Sequence, residues 1–94
     1  MYAIVFDLDA TILERRYPSP SLRDAYREVS DILRHHGFAQ RDGTHLYVTE
    51  SGTAVDCVLA VQEIGRSCAW FAPCVLDLRM LRFDEETDLS CALP

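Results

Sequence analysis

Lysine is absent from this 94-residue chain, and arginine supplies all nine of its basic side chains. Any chemistry that holds phosphoryl oxygens with a lysine ammonium is therefore excluded. Positive charge is also scarce overall: fifteen acids leave a net charge of -6 and a pI near 4.8. That balance excludes a broad basic field of the kind that gathers nucleic acid non-specifically, so a nucleic-acid contact here has to be local. The four cysteines, Cys57, Cys68, Cys74 and Cys91, form no Cys-x-x-Cys pair and match no histidine spacing. Neither a zinc site nor a redox motif is indicated, and buried free thiols are the default. No basic segment followed by a long apolar core opens the chain, and no apolar run reaches membrane-spanning length. The expectation is a reduced, cytoplasmic protein with no membrane association, forming one domain over residues 1–94 without repeats, linkers or low-complexity segments.

What is present begins with an acidic pair at the end of an apolar stretch, Ile4-Val5-Phe6-Asp7-Leu8-Asp9-Ala10-Thr11. The Asp-x-Asp-x-Thr spacing resembles the first motif of haloacid-dehalogenase-like phosphatases. A motif counts only in its structural context, however, and 94 residues leave too little room for a doubly wound sheet with helices on both faces. The phosphatase pattern also requires a downstream lysine, which is missing, and a second acidic motif on a later strand. Only Asp84, Glu85, Glu86 and Asp88 imitate that second motif, and no room follows them. Residues 1–47 carry six arginines against seven acids, whereas residues 48–94 carry three against eight. Asp84 to Asp88 supplies four of those eight, which reads as a solvated, mobile end.

Hydrophobic periodicity orders the rest. Tyr2 to Leu8 reads as a buried strand, with Tyr2, Ile4, Phe6 and Leu8 on one face and Ala3, Val5 and Asp7 on the other. Thr11 to Pro20 carries loop chemistry, with Ser21 placed to cap a helix. Leu22, Ala25, Tyr26, Val29, Ile32, Leu33 and His36 recur at helical spacing up to Gly37. Phe38 to Arg41 and His45 to Thr49 flank Asp42-Gly43, a hairpin turn. A second helix starts at Ser51-Gly52-Thr53, with Ala54, Cys57, Val58, Val61 and Ile64 along one side. Cys74 to Phe83 then alternates as a last strand. Leu76, Leu78 and Met80 point one way, and Val75, Asp77, Arg79, Leu81 and Phe83 the other.

This order is βαββαβ, the ferredoxin-like α+β arrangement, with an antiparallel sheet and both helices on one of its faces. The uncovered face would carry Ala3, Val5, Val75, Leu81 and Phe83 beside Asp7, Asp77 and Arg79. A half-apolar surface of that kind marks a partner site, and a chain this short gains stability by pairing, so a homodimer built on this face is expected.

Several stretches resemble the virulence-associated protein VapD family. They are the opening Met1-Tyr2-Ala3-Ile4-Val5-Phe6-Asp7-Leu8, Gly37-Phe38 after the first helix, Gly43-Thr44 with Tyr47 nearby, Trp70-Phe71, and the Val75-Leu76-Asp77-Leu78-Arg79 run with Arg82 beyond it. The resemblance spans nearly the whole chain. Three departures stand out: Leu76 in place of an arginine, His45 as an extra residue in the hairpin, and a shorter, less aromatic tail. The family is similar in fold to the small nuclease of the CRISPR adaptation machinery. Its members are endoribonucleases, some of them toxins paired with an antitoxin protein. The resemblance implies a catalytic role for Asp7 and a weaker one for Thr44, with RNA contacts at Arg79, Arg82 and Tyr47. A salt bridge between Arg79 and Asp77 is an equally open reading of that arginine.

A two-fold axis through the open face would bring Asp7 of one copy near Asp7 of the other. Two carboxylates that close must share a proton, giving an acid and a base, or hold a divalent cation such as magnesium. Either suits RNA, whose 2′-hydroxyl is a built-in nucleophile. The bland readings are that Asp7 caps a loop, that Asp9 is a turn residue, that His35 and His36 complement a helix dipole, and that the arginines of the first helix form a solvated, ion-paired face. A non-catalytic dimeric module that binds an antitoxin or nucleic acid is the alternative function.

Overall fold

The computed structural model describes residues 1–41, 43–84 and 87–94. Four strands form one antiparallel sheet in the order β2-β3-β1-β4. They are β1 (Tyr2–Leu8), β2 (Ala39–Gln40), β3 (Leu46–Thr49) and β4 (Val75–Arg82). Four helices connect them: α1 (Ala10–Arg16), α2 (Leu22–His35), α3 (Ala54–Ser67) and the single turn α4 (Phe71–Cys74). The architecture is the expected α+β, ferredoxin-like one. Its purely antiparallel sheet excludes the doubly wound phosphatase, whose strands run parallel between helical layers.

β1 is central because it is the most apolar strand and pairs on both sides. Ile4 faces Tyr47 of β3 and Met80 of β4, and Phe6 faces Leu78. Phe6 is the hub of the core. Its ring stacks on Tyr26 at 6.0 Å, on His45 at 5.7 Å and on Tyr47 at 5.7 Å, and meets Phe71 edge-on at 5.8 Å. Ala25, Val29 and Leu33 of α2 and Cys57, Ala60 and Ile64 of α3 close the layer above. Gly37 ends the α2 segment at φ +88, a conformation that glycine reaches without a Cβ penalty. Thr53 and Asp56 form a capping box at the start of α3.

Several details depart from the periodicity. The stretch expected as loop after Thr11 begins with a helix, α1, because Asp9 caps it: the Ile12 N–H donates to Asp9 Oδ1 at 3.1 Å. Leu13 of α1 is buried in the core. Ser21 makes no side-chain cap to α2. On α3 the buried line runs through Cys57, Ala60 and Ile64, leaving Val58 exposed. Gly43 turns the hairpin at φ +72, while Asp42, and Glu85 and Glu86 of the acidic tail, lie outside the described residues. The described tail residues from Thr87 onward are exposed, in keeping with a solvated end.

The open face also differs. A bulge between Asp7 and Leu8 sets Val75 opposite Leu8, and Val75 packs against the core instead of lining the open face. Ala3 is fully buried between its cross-strand neighbours Val48 and Leu81, where larger side chains shield a methyl. Val5, Leu81 and Phe83 remain at least partly accessible there. On the helical side, β4 is an outer strand that α3 does not reach fully across, so Leu78 and Met80 stay exposed beside Val58.

Phe6→Ala is expected to destabilise the fold by about 3–5 kcal/mol, the range for emptying an aromatic site in a packed core. Val55→Ala, at a position 64% exposed, is expected to change stability by less than about 0.5 kcal/mol. Urea unfolding followed by circular dichroism separates the two.

Candidate active site

The acidic pair at the end of β1 divides into two roles. Asp9 is half-buried and structural: its carboxylate caps α1, and its own N–H donates to the Cys74 carbonyl at 2.8 Å. Asp7 is still in the strand and points to solvent. Its Oδ1 accepts the Leu8 N–H at 3.0 Å, which steadies the carboxylate and leaves its remaining lone pairs outward. Sequence position alone does not separate the two aspartates. The bulge that ends the β1–β4 ladder does, because it turns the chain between them.

Directly across the ladder from Asp7 stands Asp77 of β4. Opposed residues in antiparallel strands have Cα atoms about 4.5–5.5 Å apart and project on the same side, so the two carboxylates share one patch. Like charges in that position repel. Arg79 offsets part of this, donating from Nε to Asp77 Oδ1 at 2.8 Å. The cluster is thus two carboxylates and one guanidinium at the end of the open sheet face. Arg79 is both an ion-pair partner and exposed, so its other N–H groups face solvent.

The remaining candidates are distributed elsewhere. Arg82 pairs with Tyr2, five residues along β4 from Asp77, which is about 16 Å at the rise of a strand. Strand alternation also sends it to the opposite sheet face. Thr44 lies in the hairpin with its hydroxyl committed: Oγ1 donates to the Arg41 carbonyl at 2.8 Å and accepts the Leu46 N–H at 3.2 Å. Extending the β1–β3 register past Val5–Leu46 would set Thr44 opposite Asp7, but the ladder stops first. Tyr47 is a core residue whose phenol meets the Ser30 hydroxyl in a short hydrogen bond. His36 bridges α2 to α3 through Glu63 at 2.8 Å, and His35 reaches the Asp31 carbonyl. Asp7, Asp77 and Arg79 are therefore brought together, whereas Thr44, Tyr47 and Arg82 are not.

Tyr26 joins Asp7 from the helical layer. Its phenol is pushed above the ordinary range, first by burial and next by the negative charge of Asp7, while the Leu8 backbone opposes the shift. The side chain is thus a neutral hydrogen-bond donor at neutral pH. Sequence shows Tyr26 only as one member of an apolar helical stripe, and its nearness to Asp7 arises when α2 folds onto β1. Among the described residues no group of three or more histidine, cysteine or acidic side chains gathers in one chain. Asp7 and Asp77 offer hard carboxylate oxygens of the kind that suit magnesium.

Asp7→Asn is expected to lower the Tyr26 pKa, since it removes one of the raising causes while burial stays. The shift is read from the Tyr26 ring resonances in an NMR pH titration. An unmoved Tyr26 would put the Asp7 carboxylate outside its electrostatic reach.

No family model matches the chain. Individual proteins do. It is 38% identical over 93 residues to Endoribonuclease VapD 2 of Riemerella anatipestifer, covering 99% of both chains. It is 36% identical over 93 residues to the Endoribonuclease VapD homolog of Helicobacter pylori, covering 99% of this chain and 96% of that protein. Endoribonuclease VapD of Dichelobacter nodosus is 28% identical over 90 residues. With similarity running end to end through both the β1 strand that carries Asp7 and the β4 strand that carries Asp77, this chain belongs to the VapD family.

Proposed function

We propose that the chain is an endoribonuclease that cleaves single-stranded RNA with Asp7 as its catalytic carboxylate. The activity is supported by full-length similarity to proteins named for it. The observation that carries the choice of residue is the pairing of Asp7 with Asp77 at the solvent-facing end of β1, while Asp9 is consumed as a helix cap.

The chemistry requires little machinery. Asp7 takes the proton of the RNA 2′-hydroxyl as general base, and that oxygen attacks the adjacent phosphorus to form a 2′,3′-cyclic phosphate as the P–O5′ bond breaks, the departing 5′-oxygen taking a proton from water. Arg79 presents its outward N–H groups to a non-bridging phosphate oxygen while its Nε stays on Asp77. A divalent cation such as magnesium, held by Asp7 and Asp77 together with the second copy's Asp7, would supply charge neutralisation at the phosphate. Without one, two Asp7 side chains sharing a proton provide an acid and a base by the same geometry.

The site is completed in a homodimer formed through the open sheet face. The accessible Val5, Leu81 and Phe83 beside the acidic cluster support this, since an isologous contact there would bring both Asp7 residues towards the axis. Thr44, Arg82 and Tyr47 are secondary to this reading: the first has its hydroxyl proton committed to the Arg41 carbonyl, the second lies far along β4, and the third is packed in the core. A role as the toxin of a toxin-antitoxin pair, acting in the cytoplasm, would follow from uncontrolled cleavage of messenger RNA.

Asp7→Ala, purified in parallel with the unaltered protein, is expected to lose at least about 100-fold in cleavage of a mixed RNA, the low end for removal of a general base. Its elution in size-exclusion chromatography should not change. Cleavage retained in the variant would remove Asp7 from the reaction. An EDTA arm with magnesium added back decides between the two carboxylate chemistries: activity lost and restored assigns the cation, and activity untouched by EDTA assigns the shared proton.

A further inference from the structure

A cleft of about 690 Å³ opens between α2 and the β2–β3 hairpin, on the helical side of the sheet. Its α2 wall carries Arg23, Arg27, Ser30 and Arg34, at positions i, i+4, i+7 and i+11, which is one stripe of a helix. Three of the nine arginines in an acidic chain thus share one wall, spread over about 16 Å at the helical rise of 1.5 Å per residue. Its opposite wall carries His45 and Tyr47. Tyr26 forms the floor, and its ring stacks on His45 at 4.6 Å. Among the described residues no acidic side chain lines the cleft.

Resting on the endoribonuclease reading above, we infer that this cleft is an RNA-binding channel, holding the backbone of single-stranded RNA through Arg23, Arg27 and Arg34 and a base through the exposed His45 ring.

Three features carry this. The first is electrostatic. A net charge of -6 gives no diffuse attraction for RNA, so a binding site needs a local concentration of positive charge, and this wall provides one. Arg27 and Arg34 are each paired one turn back along α2, with Asp24 and Asp31, while Arg23 forms no ion pair among the described residues. The two pairs are exposed, Arg27 and Arg34 being 64% and 66% accessible, and exposed pairs contribute little. A guanidinium has five N–H donors, so each keeps groups for a phosphate without releasing its carboxylate.

The second feature is aromatic. An exposed ring backed by a stacked pair offers a π face to a base of any identity, the usual means of holding a single strand without reading its sequence. His45 has that setting, supported from behind by Tyr26 and Phe6. The third is position. Tyr26 of the cleft stacks on Phe6, the residue before Asp7, so the cleft opens at the end of β1 that carries the carboxylate. Arg79 and Arg82 on β4 are outside it.

The test measures binding, so it does not depend on turnover. A labelled single-stranded oligoribonucleotide is titrated by fluorescence anisotropy with full-length Asp7→Asn protein over a range of salt. The same is done with that protein carrying Arg23→Ala, Arg27→Ala and Arg34→Ala, and with a charge-matched control carrying Arg15→Ala, Arg16→Ala and Arg66→Ala, which lie outside the cleft. The cleft variant is expected to bind roughly 10- to 100-fold more weakly at low salt, as for loss of charged hydrogen bonds. Its log affinity against log salt slope should fall by about 2, at about 0.7 per phosphate contact on a single strand. The control should match the parent in both.

Equal losses in cleft variant and control, or no loss in either, overturn the inference, as does an absence of RNA binding by the parent. A cleft variant that keeps its RNA affinity but loses binding to polyglutamate, probed the same way, also overturns it and assigns the cleft to an acidic protein partner. Circular dichroism verifies that each variant is folded, and Arg23→Gln alone supplies a milder version with a smaller loss in the same direction. Should Asp7→Ala retain cleavage while the cleft variant loses RNA, the catalytic assignment fails and the channel stands.

Discussion

Packing around Phe6 is the constraint on which the rest depends. The side chain sits at the middle of the central strand, fully buried, and collects rings from α2, β3 and α4 within about one ring spacing of itself. A strand that buries one such face must turn its alternate residues the other way. Asp7 is therefore directed to the opposite side of the sheet by the residue before it, and the same burial holds α2 close enough for Tyr26 to feel the Asp7 charge. Core and candidate site are neighbouring positions of one strand.

The bulge at the end of β1 is the second determinant. Without it, Asp7 and Asp9 would lie on one face two residues apart, an acidic pair of the sort seen in phosphatases. With it, the ladder ends after Asp7, Leu8 meets Val75, and Asp9 becomes the first residue of a helix entry. One carboxylate is spent on the Ile12 N–H at the start of α1 and the other stays open. The partner that then faces Asp7 is not Asp9 but Asp77, which reaches it from the far end of the chain.

Much of the fold was legible in the pattern of residues. β1, α2 and α3 and the strand order follow from alternation and helical spacing, because each element has a strongly apolar side to bury. Helix α1 was not legible: it is seven residues long, sits in a stretch punctuated by prolines and serines, and owes its existence to the Asp9 cap. Nor was the exposure of Val58, Leu78 and Met80, since a period says which side faces the sheet and not how far a neighbouring helix reaches across it. Of the site, Asp7 and Arg79 were visible as a strand-end acid and a nearby cation. The arginine stripe of α2 was visible too, but interleaved acids made it read as a solvated face, and only the hairpin opposite turns that face into a wall.

By itself the sequence determined the strands, the two long helices α2 and α3, their order along the chain and the presence of an acid at the end of the first strand, all of which are local properties of composition and period. It also carried an end-to-end kinship with the VapD proteins. Tertiary structure decided which acid is available, which residue stands across from it, and which arginines share a cleft. Those outcomes depend on register and on the approach of elements distant in the chain, and a side chain's partner across a sheet is set by pairing geometry rather than by its own neighbours in sequence.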